Sequence, residues 1–328
     1  HYILVPLVRA GGHGVDLFFV LSAFLITELL LRECDTTGTV RVKSFYIRRT
    51  LRIWPLYFAF ILLAFPFEFT TSDIPLLYYG MVAVFIGNWF TVFFGQVESV
   101  TGHLWTISVE EQFYLIWPVL LICTRPRVFL ASLVGLFIAS TFYRSVLIEG
   151  DFASAVSVHN NTFTRMDCFA LGGILACCVH WNLISTNSVV RVTLLAICAF
   201  LYLLIGWIYS DVLHASTAWV YLIGSTASVL AVLAVGVSPS SNNTSYVQDA
   251  WSYLGKISYG LYMWHVPASW IVAASLASWR LDRASTIVVG FVLSAVLTYL
   301  MAVASYSLLE KPFLRMKRRF TLVESRPI

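Results

Sequence analysis

Apolar runs of about twenty residues recur along this sequence, and the short stretches between them carry most of its charge. A helix needs roughly 20 apolar residues to cross the hydrocarbon core of a membrane. Hydrophobic residues make up 59% of the 328 residues and charged residues 12%, whereas charged residues are about 25% of a typical soluble domain. The sequence therefore predicts an all-α fold: a polytopic transmembrane helical bundle that forms one integral membrane domain over residues 1–328.

The positions of Lys and Arg predict in which direction each helix crosses the membrane. Cytoplasmic loops of membrane proteins are enriched in these residues. If residues 76–94 dip into the membrane and return, most of the 21 Lys and Arg residues fall on the cytoplasmic side. Residues 1–8 are expected to end a helix that begins upstream, which gives about ten spans, the first truncated, plus one re-entrant segment. The other predicted spans are 15–31, 53–67, 104–123, 128–148, 166–180, 192–209, 217–236, 257–277 and 284–309.

A basic block at residues 43–55 lies between two of these spans. Arg48, Arg49 and Arg52 fall within five positions, and on a helix Arg48 and Arg52 share one face. Such residues can fix the orientation of the chain in the membrane. Guanidinium groups also match the geometry of phosphate. Both interpretations stay open: orientation alone, or orientation together with the binding of an anionic ligand by two or more of these residues.

Acidic residues inside apolar segments are costly and therefore mark candidate functional positions. Asp16 lies at the start of a predicted span, where it could instead cap its helix. Glu110 and Glu111 are adjacent and point about 100° apart on a helix, so at least one of them needs a partner, for which an Arg is suited. Ser108 and Glu111 also have the spacing of a capping box, which is the structural alternative.

Further ionisable residues occur later in the chain. Arg165 and Asp167 are too close in sequence to share a helix face, so one is expected to pair with a different helix. Structural ion pairing is the main interpretation for these two residues and for Arg144. His265 lies in the middle of a predicted span, where it is either a packing residue or a functional one.

An imidazole exchanges a proton near neutral pH without large tuning, which makes histidine the natural base. The sequence contains no Gly-x-Ser-x-Gly, no His-Glu-x-x-His and no phosphate-binding glycine loop. These observations favour His1 as the base. The six cysteines show no metal-ligand spacing, and no basic stripe is repeated outside the loop ends, so neither a metal nor a nucleic-acid partner is expected.

Several blocks together resemble the acyltransferase 3 family of integral membrane O-acyltransferases. They start at Gly14-Val15-Asp16, at Phe45-Tyr46-x-Arg48-Arg49, at His103-Leu104-Trp105, at Arg165-x-Asp167, at Leu254-Gly255 and at Glu310-Lys311-Pro312. The resemblance implies a cytoplasmic acyl-CoA donor and an acceptor hydroxyl on a glycan or lipid of the cell envelope, or on an exported one. It also implies an essential histidine at the end of the first helix, which His1 matches. Ala23 departs from the usual glycine, and His13 offers a competing imidazole.

The resemblance implies acyl transfer in a cell membrane, expected to be a bacterial inner membrane, with acetyl-CoA as co-substrate and no metal. Arg48, Arg49 and Arg52 would hold the phosphates of coenzyme A. His1 would act as general base or carry the acyl group itself, with catalytic support expected from Asp16, Glu110 and Glu111. The expected substrate contacts are Trp105, Ser108, Arg144, Arg165 and His265. The rival class is a multi-pass transporter or exporter of a small anionic or acylated substrate, in which the same buried charges form a pathway.

Overall fold

The computed structural model describes residues 11–71, 74–150, 152–210, 218–236, 246–279 and 282–321. Within these ranges the chain forms helices and connecting segments and contains no strand. The helices are α1 (Gly14–Thr37), α2 (Val42–Thr71), α3 (Leu76–Ala83), α4 (Gly87–Phe94), α5 (Trp105–Cys123), α6 (Pro126–Glu149), α7 (Ala155–Asn160), α8 (Thr162–His180), α9 (Ser188–Ser210), α10 (Ala218–Gly236), α11 (Tyr246–Leu276), α12 (Arg283–Ser305) and α13 (Lys311–Lys317).

Eight helical stretches in the described part are long and apolar enough to cross a membrane. They contain α1, α2, α5, α6, α8, α9, α10 and, as one continuous stretch, α12 with α13. Helix α11, with 31 residues, is also long enough but is not among these eight. The prediction of a helical, multi-pass membrane protein is confirmed. The span predicted for residues 1–8 lies outside the described residues.

Helix ends follow local sequence signals. Gly38 ends α1 in the left-handed conformation (φ 77°), and its N–H bonds the carbonyl oxygen of Cys34. Pro126 stands in the first turn of α6, where its missing N–H costs nothing. The side chain of Asp282 accepts hydrogen bonds from the N–H groups of Ala284 and Ser285 and caps α12. Helix α2 begins at Val42, so the basic block at residues 43–55 is helical over its whole length.

Helix α1 packs most closely against α8 and α10. A Cβ atom on Gly172 of α8 would overlap the carbonyl oxygen of Val20 and lie 2.9 Å from the Cβ of Ala23. On the neighbouring position, a Cβ on Gly173 would lie 2.7 Å from the Trp117 ring of α5. Two consecutive glycines therefore let α8 fit closely between α1 and α5, as small residues do in membrane bundles.

Residues 76–94 form two eight-residue helices, α3 and α4, with a break between them at which Phe85 has a φ of 59°. Each helix is about 12 Å long, too short to cross a hydrocarbon core of about 30 Å. Side chains satisfy the exposed backbone at the break: Tyr57 donates to the Val82 carbonyl (2.7 Å) and Gln112 to that of Phe85 (2.9 Å). Helices α2 and α5 thus cover the non-helical backbone, as a segment at membrane depth requires.

Candidate active site

The start of α1 carries a buried imidazole and carboxylate pair. His13 ends a short helical turn and Asp16 follows three residues later, so both side chains face the same side of the first turn. Nδ1 of His13 lies 2.8 Å from Oδ2 of Asp16, and the two side chains are only 3% and 1% exposed. Asp16 therefore makes no cap for α1. It is the acidic partner of a histidine, an arrangement that fixes the orientation of an imidazole for proton transfer.

Two arginines extend this pair into a network that joins four helices. Arg165 of α8 forms an ion pair with Asp16 of α1. Arg144 of α6 pairs with Asp167 of α8 at 2.8 Å and also donates to the carbonyl oxygen of Thr164 at 2.7 Å. Both guanidinium groups lie over the ring of Tyr221 of α10, at 5.0 and 5.3 Å from its centroid. Arg165 and Asp167 each pair with a different helix, so the predicted ion pairing is confirmed for both residues.

The network is balanced in charge but not saturated in hydrogen bonds. Two arginines face two aspartates, which is the condition under which charges can be buried so far from water. Nε and Nη2 of Arg144 have no hydrogen-bond partner among the described residues. Unpaired donors of this kind can donate hydrogen bonds to an oxygen atom of a substrate.

Two aromatic side chains complete this end of the bundle, which we call the His13 end. His159 of α7 lies 5.0 Å from the Trp105 ring and 6.1 Å from the Tyr221 ring, between centroids. Desolvation, with a contribution from nearby His13, lowers the pKa of His159 to about 4. His159 is therefore neutral near pH 7 and adds a polar group without a charge. Trp105 also packs edge-on against Phe19 of α1.

Gly224 of α10 faces the imidazole and carboxylate pair directly. A Cβ there would overlap Oδ2 of Asp16 and lie 2.9 Å from Nδ1 of His13. We expect Gly224→Ala to separate His13 from Asp16 and to lower turnover about tenfold to a hundredfold, because a small misplacement of a catalytic group has effects of that order. Gly255→Ala is the matched control, since a Cβ at Gly255 meets no atom within 4 Å. Turnover of both variants in membranes checks this, and equal rates would contradict it.

A second polar group lies deeper in the bundle, where α1 meets α5. Glu110 accepts hydrogen bonds from Ser22 of α1 and from Tyr114, one turn along α5. Ser22 and Tyr114 also contact each other at 2.6 Å between their hydroxyl oxygens. The guanidinium of Arg49 lies over the Tyr114 ring, 5.0 Å from its centroid. Glu110 thereby connects α1, α5 and the basic block of α2.

Glu111 has a different environment from Glu110, although the two are adjacent. It accepts a hydrogen bond of 3.2 Å from the indole N–H of Trp54. The capping-box alternative is wrong: α5 begins at Trp105, and Ser108, already inside the helix, donates to the carbonyl oxygen of Leu104. The structure therefore separates Glu110, which joins three helices, from Glu111, which contacts a partly exposed indole.

The end of the bundle at which α1 stops and α2 starts, here called the basic end, holds the three arginines. Arg48 is buried, and it donates to Glu33 (2.8 Å) and to the carbonyl oxygen of Phe320 (2.8 Å). Glu33 also accepts from the backbone N–H of Arg41. Arg48 therefore anchors the basic end. Arg49 and Arg52 are only half-buried and form no ion pair with the described residues.

The remaining predicted residues are spread over the bundle. His265 lies in α11, is exposed, and contacts the rings of His103 and Tyr262 and the Tyr262 carbonyl oxygen. His1 lies outside the described residues. Reasoning from sequence gave no role to Ser22, Tyr114, Glu33 or Tyr221. A signal was available for Tyr114, which stands one helical turn after Glu110.

Fold and site together define a multi-pass helical membrane protein with a buried acid-base pair at one end and a basic cluster at the other. A family model for the acyltransferase domain, acyltransferase 3, matches residues 2–305. The chain belongs to this family. The prediction made from the motifs is confirmed at that level.

Two relatives carry the name O-acetyltransferase OatA. They come from Staphylococcus aureus strains NCTC 8325 / PS 47 and COL, and each is 30% identical over 341 residues. The match covers 93% of this chain and 53% of each relative, so the chain spans about half the length of the curated relatives that it matches. No solved structure matches the chain.

Proposed function

We propose that the protein is a membrane O-acetyltransferase that moves an acetyl group from cytoplasmic acetyl-CoA to a hydroxyl of an envelope or exported glycan or lipid. The supporting observation is the placement of two kinds of chemistry at opposite ends of α1. His13 and Asp16 lie at its start, and Glu33 with Arg48 lies at the other end. Asp16 and Glu33 are 17 residues apart, about 26 Å along a helix. Acyl-group chemistry and anion binding are thus separated by most of a membrane thickness.

The donor enters, in this proposal, at the basic end. Arg49 and Arg52 are half-buried and have side-chain donors that suit phosphate oxygens, while Arg48 holds the local structure through Glu33. The acyl-bearing arm then extends past Tyr114 and Glu110, the polar groups that lie between the two ends. The name of the relatives supports acetyl as the acyl group, and we place the protein in a bacterial cell membrane.

The transfer step needs a base and a stabiliser for the developing oxyanion. The base takes the proton of the acceptor hydroxyl, the hydroxyl oxygen bonds to the thioester carbonyl carbon, and the carbon–sulfur bond breaks. The sulfur leaves with the electron pair and receives the proton. The resemblance assigns the base to His1, and His13 with Asp16 is the corresponding pair within the described residues. Nε and Nη2 of Arg144 are suited to stabilise the oxyanion.

Labelled acetyl-CoA supplied to membrane vesicles tests the proposal. Wild-type vesicles should transfer label to an envelope fraction, and Arg49→Ala should reduce transfer about tenfold to a hundredfold, because a charge-assisted contact to phosphate contributes about 1.5–3 kcal/mol. Arg127→Ala is the matched control, since Arg127 is exposed in the first turn of α6, between the predicted spans 104–123 and 128–148. Protein-dependent movement of a solute without any acyl donor, with no label transferred, would favour the transporter class instead.

A further inference from the structure

The C-terminal end of the described chain returns to the basic block. Helix α12 continues through the π-helical turn Tyr306–Glu310 into α13, which packs against α2. The carbonyl oxygen of Phe320, three residues beyond α13, accepts the hydrogen bond from Nη1 of Arg48. Lys317, the last residue of α13, is half-buried, and its helix packs against α2, which carries Arg48, Arg49 and Arg52. Two segments far apart in sequence thus place four cations together.

The carboxylates near this cluster form one ion pair with it in the described part of the chain. Of the four cations, only Arg48 forms an ion pair within the described part of the chain, and its partner is Glu33. Glu310 is buried and acts on Arg52, but neither of its oxygens has a hydrogen-bond partner among the described residues. Arg49 lies over the ring of Tyr114 and within electrostatic range of Glu110 and Glu111, but it forms no ion pair with either of them. Like charges at short range repel one another, so the folded arrangement is suited to an added polyanion.

We propose that Lys317 is a third phosphate ligand of the donor site, beside Arg49 and Arg52, and that the segment from Lys311 to Phe320 closes that site. This inference rests on the proposed function, and its ligand class is a soluble, pyrophosphate-bearing acyl donor. Two guanidinium groups and one ammonium supply planar donors and a movable point charge, the combination that binds adjacent phosphates well. Arg48 is a positioning residue that fixes the segment through Phe320.

Lys317 differs from the other basic residues of the same segment. Arg315, also in α13, is exposed, whereas Lys317 is half-buried. Removing either residue takes one positive charge from the same short helix. Only the removal of Lys317 takes a positive charge away from the proposed phosphate site. Arg315→Ala is therefore a matched control.

Binding of coenzyme A and of inorganic pyrophosphate to the full chain in phosphatidylcholine nanodiscs tests the inference. Lys317→Met, which keeps the apolar stem, should weaken both ligands about tenfold to a hundredfold, the range for loss of one charge-assisted contact. Lys317→Arg should stay within about threefold of wild type. Arg315→Ala should also bind as wild type does. Equal affinity of wild type and of a folded Lys317→Met variant would overturn the inference.

Further arms separate this inference from the proposed function. If wild type binds pyrophosphate through Lys317 but transfers no acetyl group, the anion site stands and the donor assignment fails. If wild type transfers acetyl groups and Lys317→Met binds coenzyme A unchanged, the function stands and the role of Lys317 fails. Loss of coenzyme A binding as phosphatidylglycerol is added would show that lipid phosphate occupies the cluster, which would also overturn the assignment to a soluble donor. Should Lys317→Met fail to fold, Lys317→Gln replaces it in every arm.

Discussion

Asp16→Asn is expected to lower the free energy of unfolding by about 3–5 kcal/mol, because it leaves the charge of Arg165 buried without its partner. The same variant should have no measurable acetyl transfer, since His13 loses the carboxylate that orients it. Chemical unfolding in mixed micelles and transfer of labelled acetyl groups measure the two effects. Asp35→Asn is the control: Asp35 pairs with His180 but is 64% exposed, so the stability change should stay below about 1 kcal/mol.

A double variant separates stability from chemistry at the same site. Asp16→Asn combined with Arg165→Met removes both charges and keeps most of the side-chain volume. Replacing a buried pair by uncharged groups is often close to neutral, so we expect the double variant to recover most of the stability that Asp16→Asn loses. Transfer should not recover. A double variant that regained both stability and activity would show that the pair is structural only.

Glu110→Gln should reduce acetyl transfer about a hundredfold, and Glu111→Gln by less than about threefold. Glu110 is buried and joins Ser22 of α1 to Tyr114 of α5, so loss of its charge alters the polar group between the two ends of the bundle. Glu111 instead accepts a hydrogen bond from the indole of Trp54. Initial rates in nanodiscs, with thermal unfolding as the check on folding, compare the two. Similar losses in both variants would contradict the distinct roles that we assign to them.

The helical, multi-pass fold could be predicted from the sequence, because apolar runs of spanning length have few other stable arrangements in a membrane. That residues 76–94 re-enter the membrane stays a prediction; they form two short helices, neither of which can span singly. The side chains that hydrogen-bond to the backbone between these two helices could not be predicted. The hydroxyl of Tyr57 and the amide of Gln112 reach it from helices whose packing is not written in local sequence.

The site was predictable in residue type but not in pairing. Charges in apolar runs identified Asp16, Arg144 and Arg165, since each needs a partner. That Arg165 pairs with Asp16, and Arg144 with Asp167, follows from the way α8 packs between its neighbours, which its two adjacent glycines permit. Sequence spacing cannot supply contacts of this kind, because they join residues up to about 150 positions apart.

The basic block shows the same limit. In the sequence, its three arginines differ only in the helix face that each one occupies. In the structure Arg48 differs from the other two, because Glu33 lies at the end of the preceding helix and Phe320 returns from the far end of the described chain. The adjacent pair Glu110 and Glu111 is divided in a comparable way, since a rotation of about 100° turns one toward α1 and the other toward Trp54.

Sealed vesicles of defined orientation give the most direct test of a donor that enters at the basic end while its acetyl group leaves at the His13 end. Labelled acetyl-CoA is added outside, and label on the acceptor is measured for inside-out and right-side-out vesicles. Transfer is expected only in inside-out vesicles, where the basic end faces the added donor, and Arg49→Ala should abolish most of it. Equal transfer in both orientations, or transfer that is indifferent to Arg49, would contradict a donor site at the basic end.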